Sequence, residues 1–224
     1  MTDLTLYYHP LSSFCMKVLI ALYENDTPFT PHIVDLMDPA QHAQFLEIWP
    51  VGKFPVLRDE ARNRIIPETS VIIAHLDRHF PGRTKLIPDN PDRASQMNVY
   101  DRVFDNYVNL NVQRVVFDRV RPADRRDPYG VEHAKMHLRT TLDMIERDLA
   151  DKTQLKPWIM GDDFTMADCA AAPALFYADK ISPLKESHPN VTAYLGRLIR
   201  RPSFMRALKE AKPYFAMFPQ DDAA

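Results

Sequence analysis

Pro10, Leu11, Ser12, Ser13, Phe14 and Cys15 stand between a β-prone run, Leu4 to Tyr8, and a helical pattern carried by Phe14, Val18, Ala21 and Leu22. The start of a helix presents N–H groups without an intrahelical partner and a partial positive charge. An anion is stabilised there, and a serine hydroxyl adds a donor. A free thiol titrates near ~8.5, and a helix N-terminus with a nearby donor lowers that value. The segment therefore suits a bound thiolate. The same serines also suit plain helix capping, and the residue types alone leave both readings open.

Two further segments could hold a ligand. In Val51-Gly52-Lys53-Phe54-Pro55-Val56-Leu57 a proline leads a strand, where it cannot donate to the ladder. A cis Phe54–Pro55 bond would expose the Phe54 backbone to pair with a peptide ligand as an added strand. Cis bonds are only ~5% of X–Pro bonds, so the isomer stays open. In Pro67-Glu68-Thr69-Ser70, Glu68 can accept from an ammonium. The Thr69 hydroxyl and the free N–H groups of the following helix can hold a carboxylate. Together they suit an α-amino acid group, although the segment also reads as an ordinary cap.

A fourth motif is structural. In Gly161-Asp162-Asp163-Phe164-Thr165-Met166-Ala167-Asp168, Thr165 and Asp168 have capping-box spacing before an apolar helix. The three aspartates do not make a metal site, and the eight histidines show no HExxH or paired metal-ligand spacing. No metal is expected.

The elements that must position these residues fall into two groups. Residues 1–80 read as β-α-β-α-β-β-α. The strands lie at Leu4–Tyr8, Phe29–Val34, Pro55–Leu57 and Arg64–Ile66, with later helices over Ala40–Ile48 and Thr69–Phe80. Pro81, Gly82, Pro88, Asn90 and Pro91 mark residues 81–91 as a linker. Residues 92–224 read as all-helical, with about five helices. Met97, Tyr100, Phe104 and Tyr107 step along one long helix, and Val131, Ala134, Leu138, Leu142, Ile145 and Leu149 along a second. Residues 165–178 are apolar nearly all round and should be central; Val191 to Ile199 form another amphipathic stripe.

Bulk properties exclude several classes. The net charge of −2, from 28 basic and 30 acidic residues, argues against a nucleic-acid binder. Two distant cysteines, Cys15 and Cys169, are no disulfide framework and fit a reducing cytoplasm. The first residues lack a basic n-region and a long apolar run, so no signal peptide is expected. The longest near-apolar stretch, Cys169 to Ala178, is too short to span a bilayer.

In this order and at these spacings, the four segments resemble the cytosolic glutathione transferase superfamily. VGKFPVL looks like its cis-proline loop. ETSVIIAHL is similar to its glutamate-serine motif, with Thr69 in place of the usual serine. GDDFTMADCAAAPAL looks like its helix-capping motif, and HPNVTAYLGRLIRRPSF is similar to its C-terminal segment. The resemblance spans residues 4 to about 210. It implies a thioredoxin-like α/β N-terminal domain and an all-α C-terminal helical bundle. It implies a homodimer in the cytoplasm, glutathione as co-substrate, and a role in detoxifying a small, largely hydrophobic electrophile.

Carried onto this chain, the resemblance puts Phe54, presented by Pro55, on the cysteinyl backbone of glutathione. Glu68 and Thr69 meet its γ-glutamyl end; Lys53, with Gln41 or His42, meets its glycyl carboxylate. Ser12 takes the position of the catalytic hydroxyl. Ser13 falls one residue late and is expected to cap the helix. Tyr7 and Tyr8 are similar to a tyrosine-type activator but lack the glycine-containing loop after them, and Cys15 is expected to pack. The electrophile would lie between the domains, against Leu11 and the long helix near Phe104, Tyr107, Val108 and Asn111. Phe14 interrupts the Ser-Ser-Cys run of the isomerase class, so a glutathione-dependent isomerase is the lesser reading. A transferase-like binding or regulatory protein without chemistry is the other.

Overall fold

The computed structural model describes residues 3–150 and 156–220. The expected helical region 92–224 thus includes 151–155 and 221–224, which lie outside the described residues. Strand β1 (Leu4–Tyr8) alternates as read, with Leu4, Leu6 and Tyr8 buried. It pairs in parallel with β2 (Thr30–Ile33) and antiparallel with β3 (Val56–Asp59), which pairs antiparallel with β4 (Arg64–Pro67). The sheet order is β2-β1-β3-β4, and Leu6, Leu57 and Ile66 form one buried row across three strands.

Helix α1 (Ser13–Glu24) follows β1 and is buried at every position but Phe14, because it packs against α3 on one side and the helical domain on the other. Helix α2 (Pro39–Ile48) buries only Phe45, in a small cluster with Val34 and Val56. Helix α3 (Thr69–His79) closes the α/β part, whose element order is the expected one.

The helical part opens with α4 (Pro91–Arg102). It continues as a π-helical turn (Val103–Asn109) and then α5 (Leu110–Arg119), one run whose winding changes midway. Helix α6 (Pro128–Ala150) buries Ala134, Leu138, Leu142 and Ile145. Helix α7 (Met166–Ile181) is the central one; it packs on α1, α4, α8 and the π turn. Helices α8 (Pro189–Ile199) and α9 (Pro202–Ala211) complete the bundle. Pro39, Pro91, Pro189 and Pro202 each sit at a helix start, where a fixed φ costs nothing and the missing N–H is not needed. The architecture is a thioredoxin-like α/β domain followed by an all-helical domain. Among the described residues no helix is long and apolar enough to cross a membrane.

Candidate active site

A cleft of about 700 Å³ lies where the starts of α1 and α3 and the Gly52–Pro55 loop face the long helical run and residues 217–219. Ser12, Leu11, Lys53, Phe54, Pro55, Glu68 and Thr69 all line it. Seven residues singled out from sequence are thus brought to one place.

Ser12 is the N-cap of α1, with extended backbone (φ −73°, ψ 124°), and its Oγ accepts a long 3.4 Å bond from the Cys15 N–H. That bond uses a lone pair and leaves the hydroxyl proton free to donate into the cleft. Ser13, expected to be the cap, is already helical. Its buried Oγ donates to Asn109 Oδ1 at 2.9 Å, across the domain boundary. Capping thus falls to Ser12, because the extended residue before the first helical one is the one whose side chain can turn back. Leu11 is anchored from the other domain, its carbonyl accepting from the Tyr177 hydroxyl at 2.6 Å.

The Phe54–Pro55 peptide is cis, which resolves the isomer left open by sequence. Gly52, at φ 67°, takes the preceding turn; a Cβ there would stand 3.1 Å from the Leu46 side chain. Exposed Lys53 makes no ion pair among the described residues. Glu68 is the residue before α3 and has φ 68°, ψ 119°, a conformation that L-residues rarely adopt. Its side chain makes no capping bond. The carboxylate, whose charge also acts on Arg102 across the cleft, can accept from an ammonium, and the first N–H groups of α3 remain uncapped for a carboxylate. Strain of this kind at a non-glycine residue gathers at ligand sites.

Sequence reasoning missed His9. It lines the cleft, stacks on Phe54 with ring centroids 6.2 Å apart, and meets Tyr214 edge-on at 5.0 Å. Its Nδ1 accepts from the Leu11 N–H at 3.2 Å, so the neutral ring carries its proton on Nε2. Burial lowers its pKa below the usual range, with Asp35 opposing. Its position at the end of β1 was the available signal.

The long helix corrects one expectation. Phe104 and Val108 are fully buried in the core, and Asn111 is buried with its amide on the Tyr107 carbonyl at 2.7 Å. Tyr107 is exposed outside the cleft. None of the four lines the site. The π turn accommodates an extra residue per turn and rotates the following face. Asp105, Asn106, Asn109, Leu110, Gln113 and Phe117 face the cleft instead. The amides at 106, 109 and 113 form a polar stripe that spacing could have revealed.

The other candidates lie elsewhere. Tyr7 packs on His32 and Phe45, Tyr8 is buried with its hydroxyl pushed up to about 12 chiefly by burial, and neither lines the cleft. Cys15 is wholly buried, and burial pushes its thiol up to about 12. Gln41 bonds Asp38, and neither it nor His42 reaches the cleft. Among the described residues no group of three or more histidine, cysteine or acidic side chains could hold a metal.

Chemically, the cleft has three parts. A helix N-terminus with a serine donor suits a sulfur anion. A carboxylate beside free N–H groups suits an amino acid end. Leu110, Val116, Phe117 and Val120, with Met217 and Phe218, make an apolar wall beside them.

Residues 6–84 match the family model for the glutathione S-transferase N-terminal domain, and residues 128–197 match that for its C-terminal domain. "Glutathione S-transferase A" of Pleuronectes platessa is 28% identical over 210 residues, covering 90% of this chain and 89% of the relative. "Stringent starvation protein A homolog" of Coxiella burnetii is 27% identical over 214 residues, covering 93% of each. The structure of a glutathione S-transferase from Methylobacillus flagellatus, with glutathione bound, superposes with a TM-score of 0.80 at 23% identity, covering 91% of this chain and 98% of the other. With both domain models matched in order along one chain, this protein belongs to the glutathione S-transferase family.

Proposed function

We propose that this protein is a glutathione transferase that activates the glutathione thiol and adds it to a small, largely hydrophobic electrophile. The observation that carries the reading is the convergence of Ser12, the cis-proline loop and the Glu68–Thr69 helix start on one interdomain cleft. In this reading Glu68 and Thr69 hold the γ-glutamyl group, and the Phe54 backbone pairs with the cysteinyl unit. Lys53 meets the glycyl carboxylate. The sulfur then lies at the α1 N-terminus. The Ser12 hydroxyl and the helix N–H groups favour thiolate over thiol, and the thiolate attacks an electrophile held on the apolar wall beside Leu11. The protein acts as a cytoplasmic homodimer and needs no metal.

A second reading, a transferase-like binding or regulatory protein, is favoured by the relative named for stringent starvation rather than for transfer. Steady-state turnover of chlorodinitrobenzene and several other electrophiles separates the two. Rates above the uncatalysed reaction are expected. Absence of any such rate, with glutathione still bound, would establish the second reading.

A further inference from the structure

Of the residues that reach the α1 N-terminus, Asn109 is the one whose chemistry is unspent. It belongs to the other domain, on the last residue of the π turn, and is 3% exposed. Its Oδ1 accepts the Ser13 hydroxyl at 2.9 Å. Its Nδ2 carries two N–H donors and has no partner among the described residues. Nδ2 is not sealed in the core, and Asn109 lines the cleft together with Ser12 and Ser13. An amide whose donors are left open in an otherwise buried side chain is arranged for a ligand acceptor.

We infer that the Asn109 amide is a second donor to the glutathione sulfur, a catalytic residue supplied by the helical domain. This rests on the transferase reading. The Ser13 bond holds the amide by its oxygen and leaves the NH₂ group for the cleft that Asn109 shares with Ser12. Two donors from different domains then converge on one anion, and each stabilises thiolate over thiol. The π turn is what brings Asn109 to this place, and π-helical turns gather at functional sites. A second consequence follows for Ser13. Its hydroxyl is a positioning group, because it acts only through Asn109.

The test is the ultraviolet absorbance of bound glutathione thiolate against pH, with affinity and melting temperature measured alongside. Asn109→Ala should raise the bound thiol pKa by about one unit, the scale of one hydrogen bond to an anion, and cut turnover at neutral pH about tenfold. Glutathione affinity should stay near that of the wild type. Ser13→Ala should shift the pKa in the same direction by less, and the double variant should add little to Asn109→Ala. If Asn109→Ala does not fold, Asn109→Leu keeps the side-chain volume while losing both donors and adding no charge, and its bound thiol must also titrate higher. A variant that loses melting temperature but titrates like the wild type overturns the inference, since Asn109 would then only join the domains. A wild type with no thiolate band overturns the transferase reading as well.

Discussion

At the residue scale, one serine does two things. Ser12 caps α1 through a long bond and keeps its proton for the cleft. Ser12→Ala should therefore raise the bound thiol pKa by about one to two units, because a hydrogen bond to a charge is worth roughly 1.5–3 kcal/mol. It should also cost about 1 kcal/mol of stability as a lost cap. The pH dependence of thiolate absorbance checks the first effect and thermal melting the second; an unchanged titration removes Ser12 from the mechanism. Glu68→Ala and Thr69→Ala should each weaken glutathione binding by roughly ten- to a hundredfold, on the same 1.5–3 kcal/mol per charged bond. Calorimetry that gives wild-type affinity for both would place the γ-glutamyl group elsewhere. Sequence brought out these residues because each stands beside a helix start or a strand-leading proline. It put the helix cap on Ser13 instead of Ser12, because the partner that takes the Ser13 hydroxyl, Asn109 Oδ1, lies 96 residues away.

At the element scale, regular periodicity was readable and irregular winding was not. Strand β1 and α3 lie within a residue of where alternation or helical spacing put them, and α7, expected over 165–178, runs three residues further to Ile181. The long helical run was also readable, but a 3.6-residue period carried through Val103–Asn109 turns Phe104 and Val108 toward the cleft. The π turn buries them against α7.

The capping motif was legible, and its chemistry is stronger than its spacing suggested. Asp168 is fully buried, and its carboxylate accepts from the Thr165 N–H at 2.8 Å, the Thr165 hydroxyl at 3.2 Å, the Ile159 N–H at 3.1 Å and the Tyr194 hydroxyl at 2.6 Å. Burial pushes its pKa up, and these four donors oppose that shift. Asp168→Ala would leave several buried donors unpaired, at about 1–3 kcal/mol each. Melting temperature should fall steeply, with glutathione affinity of the remaining folded protein unchanged. Thr165→Ala should be milder, about 1 kcal/mol. Equal melting temperatures for Asp168→Ala and wild type would remove the motif's structural role.

At the scale of the whole molecule, what matters is how the parts are joined. We expect a homodimer, and light scattering at micromolar concentration checks it; a monomer mass refutes it. Exposed Val71 on α3 and Val99 on α4 flank the Ser70–Asp101 hydrogen bond of 2.7 Å that joins the two domains, and they supply apolar surface for such a contact.

Within one chain the domains are joined by buried charge. Lys17 of α1 is 1% exposed, and its Nζ lies 2.6 Å from Asp101, 2.7 Å from Asp105 and 3.0 Å from Ser70. Half-exposed Arg102 bonds the same two aspartates and Ser70. Burial pushes Asp101 upward, but Lys17, Ser70 and Arg102 together outweigh it and hold the carboxyl below the usual carboxylate range. At Asp105 burial prevails over Lys17, with Asp101 adding repulsion, and the pKa is raised. Asp101 therefore contributes stability above its unfolded pKa of about 3.9, and that contribution is lost as pH falls through its lower folded value. Asp105 acts in the opposite sense, since its contribution is present at low pH and fades as pH rises.

Lys17→Ala removes the central cation and leaves two carboxylates facing a single, partly solvated arginine. Breaking a buried pair in this way costs roughly 3–5 kcal/mol at neutral pH. Both carboxyls should then titrate higher, so acidification should narrow the gap in melting temperature between variant and wild type. The check is melting temperature from neutral pH down toward the carboxylate range. A gap that keeps its full size throughout would mean that Lys17 stabilises by its packed methylene chain and not by its charge.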